Sequence, residues 1–65
     1  MAQCHGKGCP SFLTAAEAEA SSLTIAANIP AWIVRRPERR APYARRVFGP
    51  RCSTCRLKLI KELHS

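Results

Sequence analysis

Four cysteines carry the clearest chemistry in this 65-residue sequence: Cys4 and Cys9 near one end, Cys52 and Cys55 near the other. They could share one metal ion, close two disulfides in any of three pairings, or stand as unconnected thiols. Cys52-Ser53-Thr54-Cys55 has the C-x2-C spacing of a zinc ligand pair, and Cys4-His5-Gly6-Lys7-Gly8-Cys9 is a looser C-x4-C pair. Met1-Ala2-Gln3 opens without the charged and apolar regions of a secretory signal, and no stretch approaches the ~18 apolar residues of a membrane span. A reducing, cytoplasmic setting without a membrane is therefore expected, where disulfides rarely persist. A shared metal is the expected use of the sulfurs. Four thiolates make a soft, tetrahedral set that suits one structural Zn2+, although iron fits the same ligands.

The elements that must position these sulfurs can be read on either side of them. Gly6 and Gly8 let the backbone between Cys4 and Cys9 fold tightly and turn its amides toward sulfur. With Ser53 or Thr54 as N-cap, a C-terminal helix is expected through Leu57, Leu59, Ile60 and Leu63. Cys52 and Cys55 then sit at its start, where orphan N–H groups and the positive end of the dipole favour thiolates. His5 competes with Cys4 for one ligand position and is expected to be an exposed knuckle residue. His64 is expected to cap the helix end, where the dipole favours an imidazolium.

A knuckle near the N-terminus followed by two ligands on a C-terminal helix resembles a treble-clef zinc finger. The chain also resembles small zinc domains of phage and actinobacterial proteins, which pair a Cys-Gly-x-x-Leu-Thr knuckle with a later Gly-x-Gly-Pro-x-Cys. Cys9, Leu13 and Thr14 match the first piece, and Gly49, Pro50 and Cys52 the second. Pro10 and Val47 stand where that pattern has glycine, and the knuckle is longer. The resemblance implies zinc and a treble-clef-like fold. The expected architecture is a single zinc-stapled domain over residues 1–65, mostly α with a short strand or hairpin. So short a chain buries little apolar surface, and a staple is expected to hold it.

Between the cysteine pairs, Thr14-Ala15-Ala16-Glu17 forms a capping box, with Leu13 placed to staple onto Ala18. A helix is expected from there to about Ala27, stopped by Asn28 ahead of Ile29-Pro30, with a packing face of Ala16, Ala20, Leu23 and Ala27. The apolar, β-branched run Ala31-Trp32-Ile33-Val34 reads as a strand, and Trp32 as a core residue. Pro42 can open a short helix through Phe48, closed by Gly49, on which Tyr43 and Val47 share a face.

Charge points to the partner. The formal net charge is +7, and a tetrathiolate zinc site would reduce it to about +5. Six of the arginines fall between positions 35 and 46, as Arg35-Arg36, Arg39-Arg40 and Arg45-Arg46. The guanidinium fork matches phosphate, and such a cluster is the usual footprint of nucleic-acid binding. Tyr43 and Phe48 flank the last pair and suit stacking on exposed bases. The expected function is nucleic-acid binding, DNA or RNA, through Arg35, Arg36, Arg39, Arg40, Tyr43, Arg45 and Arg46, with a regulatory role. An acidic protein surface is the alternative partner, which would make the chain a small adaptor or inhibitor on a larger protein, possibly of a host. A ribonucleoprotein subunit is the third possibility. An enzyme is not expected: there is no aspartate, the four glutamates form no paired constellation, and four sulfur ligands close a zinc shell.

Overall fold

The computed structural model describes residues 1–64. The chain opens with β1 (Ala2–Gln3) and β2 (Phe12–Leu13), an antiparallel pair in the register Ala2 to Leu13 and Gln3 to Phe12. The pairing continues one step further, where the Cys4 N–H donates to the Ser11 carbonyl at 2.7 Å. This short hairpin closes the loop that bears Cys4 and Cys9. A hairpin was expected, but not here.

Helix α1 (Ala15–Ala27) starts on the expected capping box: the Glu17 N–H donates to Thr14 Oγ1 and the Thr14 N–H to Glu17 Oε1, each at 3.1 Å. It stops at Asn28, as its sequence predicts. Its packing face differs from expectation. The buried stripe is Ser21, Ser22, Ile25 and Ala26, continued by Ile29, while Leu23 is half exposed and Ala16, Ala20 and Ala27 face solvent. Spacing of i, i+1, i+4, i+5 and i+8 defines the face, and two serines occupy it because hydroxyls can be satisfied inside. Ser21 Oγ donates to the Arg51 carbonyl at 2.6 Å and accepts from the Arg51 N–H at 3.0 Å.

The expected strand after Pro30 is a turn. The Pro30 carbonyl accepts from the N–H groups of Ile33 at 3.0 Å and Val34 at 3.3 Å, which reverses the chain after α1. Val34 is thereby buried and Ile33 half-buried, whereas Trp32 points outward and is 76% exposed, against the expectation of a core residue. Tight reversal, not β propensity, decides this segment.

Helix α2 (Pro37–Tyr43) also departs from expectation. Pro37, not Pro42, takes the first helical position, where its fixed φ and missing N–H cost nothing. Pro42 lies inside the helix and offers no N–H, so the hydrogen-bond ladder lacks one rung there. The next five residues, Ala44–Phe48, widen into a π turn, and the Gly49 N–H reaches back five residues to the Ala44 carbonyl at 2.8 Å. Tyr43 consequently packs edge-on against Phe48, with centroids 5.7 Å apart, while Val47 is exposed instead of sharing a face with Tyr43.

Helix α3 (Ser53–Leu63) is capped by Cys52, one residue ahead of the expected Ser53 or Thr54, and Cys52 gives no side-chain cap bond. Leu59 is its buried residue; Leu57 is exposed. One core results, made by Ile25, Ala26, Ile29, Val34, Ala44 and Leu59, with Ile33, Ala41, Tyr43, Phe48 and Leu63 packed around it. His64 is the C-cap of α3, as expected, and its Nε2 pairs with the Asn28 carbonyl at 2.7 Å, joining the ends of α1 and α3.

Ser21 is a buried side chain that grips the segment leading into α3. Ser21→Ala removes both partners of the Arg51 peptide, and a loss of about 1–3 kcal/mol is expected from the unsatisfied groups. Urea unfolding of the metal-loaded protein measures it, and an unchanged midpoint would show that the Ser21 pair holds nothing.

Candidate metal centre

The four cysteines reach one point from both ends of the chain. Cys4 follows β1, Cys9 precedes β2, Cys52 caps α3 and Cys55 lies in its first turn. Their sulfurs all lie within 4.8 Å of one another, as a single group of four. Cys9 Sγ and Cys52 Sγ are 3.8 Å apart. A tetrahedral ion with metal–sulfur bonds of ~2.3 Å has sulfur–sulfur edges of ~3.8 Å, so this pair already has the spacing of two ligands. All four thiols are free, Cys4 buried and the others half-buried. The residue types, number and spacing therefore fit a metal ion held by Cys4, Cys9, Cys52 and Cys55, and those are the residues that the sequence singled out.

The surrounding backbone is built for sulfur. Cys4 Sγ accepts from the N–H groups of Gly6 and Cys52, both at 3.3 Å, so one buried sulfur receives a bond from each half of the site. The loop also folds back on itself through the Cys9 N–H to the Gly6 carbonyl at 3.2 Å. Gly6 is required by space: a Cβ there would overlap Cys55 Sγ and stand 2.8 Å from Cys55 Cβ. Gly49 is required by both space and conformation, since its φ is +69° and a Cβ would clash with the ring of His5. His5 thus lies against Gly49, its side chain outside the sulfur cluster, while its N–H donates to the Pro50 carbonyl at 2.9 Å.

Electrostatics divides the thiols. Hydrogen bonds from Ser11, hydroxyl first and backbone second, draw Cys9 down to about 6. The Cys55 backbone N–H lowers Cys52, the effect expected at a helix start. Cys55 is pushed up to about 12, first by its hydrogen bond with Cys52 and then by burial and the other two sulfurs. Four sulfurs this close cannot all carry charge by themselves, and the proton stays on Cys55 until a cation takes its place.

The arginine segment lies apart from these ligands. Arg35, Arg36, Arg39 and Arg46 are exposed, and Arg39, Tyr43 and Arg46 line a common cleft. Arg45 is committed to an ion pair with Glu19 on α1, and Arg40 is half-buried with its Nε unpartnered. Tyr43 is half-buried against the core and Phe48. Sequence reasoning missed Ser11, Ser21 and Arg51, which shape the centre through backbone and hydroxyl groups, and named Pro50 without the role of its carbonyl. Only Ser21 left a signal, in its helical spacing with Ile25 and Ile29.

No protein-family model, curated protein or solved structure matches this chain. The likeness to phage and actinobacterial zinc domains rests on its six matching residues alone. Each has a physical task here: Leu13 is buried, Thr14 caps α1, Gly49 makes room for His5, Pro50 binds the His5 N–H, and Cys9 and Cys52 join the sulfur group.

Two tests follow from this geometry. Gly6→Ala forces a Cβ against Cys55, and overpacking of this kind costs about 1–3 kcal/mol; weaker metal retention against a chelator is expected, and parental retention would refute the close approach. Metal binding must also displace the Cys55 proton at any pH below about 12 and the Cys9 proton below about 6. Affinity should fall with falling pH, its logarithmic slope steepening by about one unit once Cys9 protonates. A chelator competition series spanning that pH measures the slope, and a constant slope would remove Cys9 from the ligand set.

Proposed function

We propose that the chain is a small zinc-binding protein of treble-clef-like design that binds nucleic acid through its arginine segment, in a regulatory capacity and in a reducing, cytoplasmic compartment. The zinc has a structural role: it joins the looped knuckle of Cys4 and Cys9 to the start of α3 and leaves no ligand position for a substrate, so the protein binds and does not catalyse. Zinc is favoured over other ions by four soft donors around a tetrahedral centre.

The observation that carries the nucleic-acid reading is the exposure of Arg35, Arg36, Arg39 and Arg46 along one segment, in a chain of net charge +7. Positive charge concentrated in this way releases counterions from a phosphate backbone and matches its geometry. Arg45 and Arg40 contribute less, because one is paired with Glu19 and the other is half-buried. The adaptor reading has a specific support in Trp32, whose ring is exposed beside the arginine segment in sequence and is a residue type enriched at protein interfaces.

The zinc-loaded protein, with one zinc per chain confirmed by native mass spectrometry, is titrated with mixed-sequence DNA and RNA across a salt series. Affinity should fall steeply with salt, and Arg35→Gln with Arg36→Gln should reduce the logarithmic salt slope by about one unit per lost phosphate contact, on unrelated sequences alike. Absence of binding at low salt would overturn the reading and promote the adaptor, for which a Trp32→Ala loss of a single protein partner is the signature.

A further inference from the structure

Clefts on this molecule that carry two or more cations differ in what else they hold. Beside α1, the cleft with Arg51 and Arg56 also holds Glu17; two more remain. One is lined by Gly6, Lys7, Arg51, Cys55, Lys58 and Glu62 among others. It contains a carboxylate and borders the sulfur cluster, whose four thiolates leave a bound zinc with two surplus negative charges. Its cations have anions at hand already. The other, of about 380 Å³, is lined by Ile33, Val34, Arg39, Pro42, Tyr43 and Arg46. No acid lines it, and among the described residues neither Arg39 nor Arg46 makes an ion pair.

The second cleft has an ordered construction. Arg39 and Tyr43 lie four apart on α2, the spacing of one helical face, and the π segment that follows brings Arg46 to line the same cleft. The turn after Pro30 supplies Ile33 and Val34 as the opposite, apolar side. Tyr43 is held by its edge-on contact with Phe48, at 76° between the rings, so its orientation is fixed before any ligand arrives. A fixed aromatic ring and aliphatic walls between two guanidinium groups match a flat base with phosphate on either side. A base stacked and paired in a duplex cannot enter such a cleft; an unpaired base can. An acidic peptide satisfies the two arginines but leaves the aromatic and aliphatic walls without a planar partner.

We propose that this cleft seats one unstacked nucleotide of a single-stranded nucleic acid, the base against Tyr43, Ile33 and Val34 and the flanking phosphates on Arg39 and Arg46. The inference rests on the nucleic-acid reading above and narrows it to single strands.

The test compares a single-stranded oligonucleotide with its own duplex, by fluorescence anisotropy on the zinc-loaded protein. Tighter single-strand binding is expected. Arg39→Gln with Arg46→Gln should abolish the preference, whereas the charge-matched pair Arg35→Gln with Arg36→Gln should weaken both forms alike. Tyr43→Leu, which keeps an apolar side chain against the core, should lower single-strand affinity roughly 5- to 150-fold, the range of a lost base–aromatic stack. Because Tyr43 also packs on the core, a 4-thiouridine oligonucleotide photo-crosslinked to the unaltered protein gives an independent readout, with adducts expected on the 33–46 segment. Duplex binding equal to single-strand binding, identical effects of the two arginine pairs, adducts mapping elsewhere, or polyglutamate binding with the same arginine dependence would each overturn the proposal. Salt-sensitive binding without strand preference would sink this inference alone; no nucleic-acid binding at all would sink both.

Discussion

Charge repulsion among four sulfurs is the constraint on which the structure turns. Cys9 and Cys52 lie 43 positions apart in sequence and 3.8 Å apart in space. Bringing them together costs the entropy of closing a long loop, and bringing four thiolates together costs Coulomb energy as well. Cys55, raised to about 12 by its bond with Cys52, by burial and by the other sulfurs, expresses that repulsion, whereas the Ser11 hydrogen bonds draw Cys9 down to about 6. A divalent ion reverses the sign of the interaction and turns the closure into a source of stability. The core has six buried apolar residues in its main cluster, two of them alanines, so it has little with which to offset the closure alone.

The remaining contacts between the chain ends make sense as guides to that closure. Ser21 holds the Arg51 peptide on α1, the Pro50 carbonyl holds the His5 N–H, and the Cys52 N–H points at Cys4 Sγ. Three consecutive residues, Pro50 to Cys52, are therefore fixed by backbone bonds from three directions before α3 begins. Gly49 allows that path because its positive φ turns the chain out of the π segment and its missing side chain leaves room for His5. The arginine segment and the sulfur centre are joined mechanically at this point. The π segment that carries Arg46 ends where the strap that carries Cys52 begins.

What the sequence made legible follows the range of the forces involved. The capping box at Thr14 and Glu17, the Asn28 stop and the α3 helix are local, and they were readable from a few neighbouring residues. The four ligands were readable because cysteine has few other uses in a short chain. Where tertiary geometry decides, local signals failed. Trp32 and Val34 sit two positions apart in an apolar run that looks like a strand, yet the demand to reverse direction after α1 turns one outward and one inward. Helical spacing of apolar residues points to alanines and Leu23 as the α1 face, but burial selects Ser21 and Ser22. A serine inside a helix face announces nothing until its partner, 30 residues away, is in place. Pro42 looked like a helix start because proline favours one; Pro37 had the same claim and took it.

The distribution of cations also changes how the net charge of +7 should be weighed. Arg51 donates through Nε to the Phe48 carbonyl at 3.2 Å and, with Lys7 and Lys58, borders the sulfur centre. Arg45 is spent on Glu19. Those groups serve the fold, since negative charge on the clustered sulfurs, and on a metal they would hold, is more stable with cations and N–H donors around it. Subtracting them leaves Arg35, Arg36, Arg39 and Arg46 as the exposed cations of the central segment, a smaller set than composition suggests but a localised one. Localisation is what matters for recognition: evenly spread charge gives solubility, whereas a few guanidinium groups fixed beside an aromatic ring give a ligand somewhere to sit. Arg39 sits on a helix only seven residues long that contains Pro42, and Arg46 on the π segment that continues it, so their geometry depends on packing against α1 through the Ala44 and Val34 core. A metal ion held by the four cysteines would, by closing the chain around that core, sustain the cationic face without touching it.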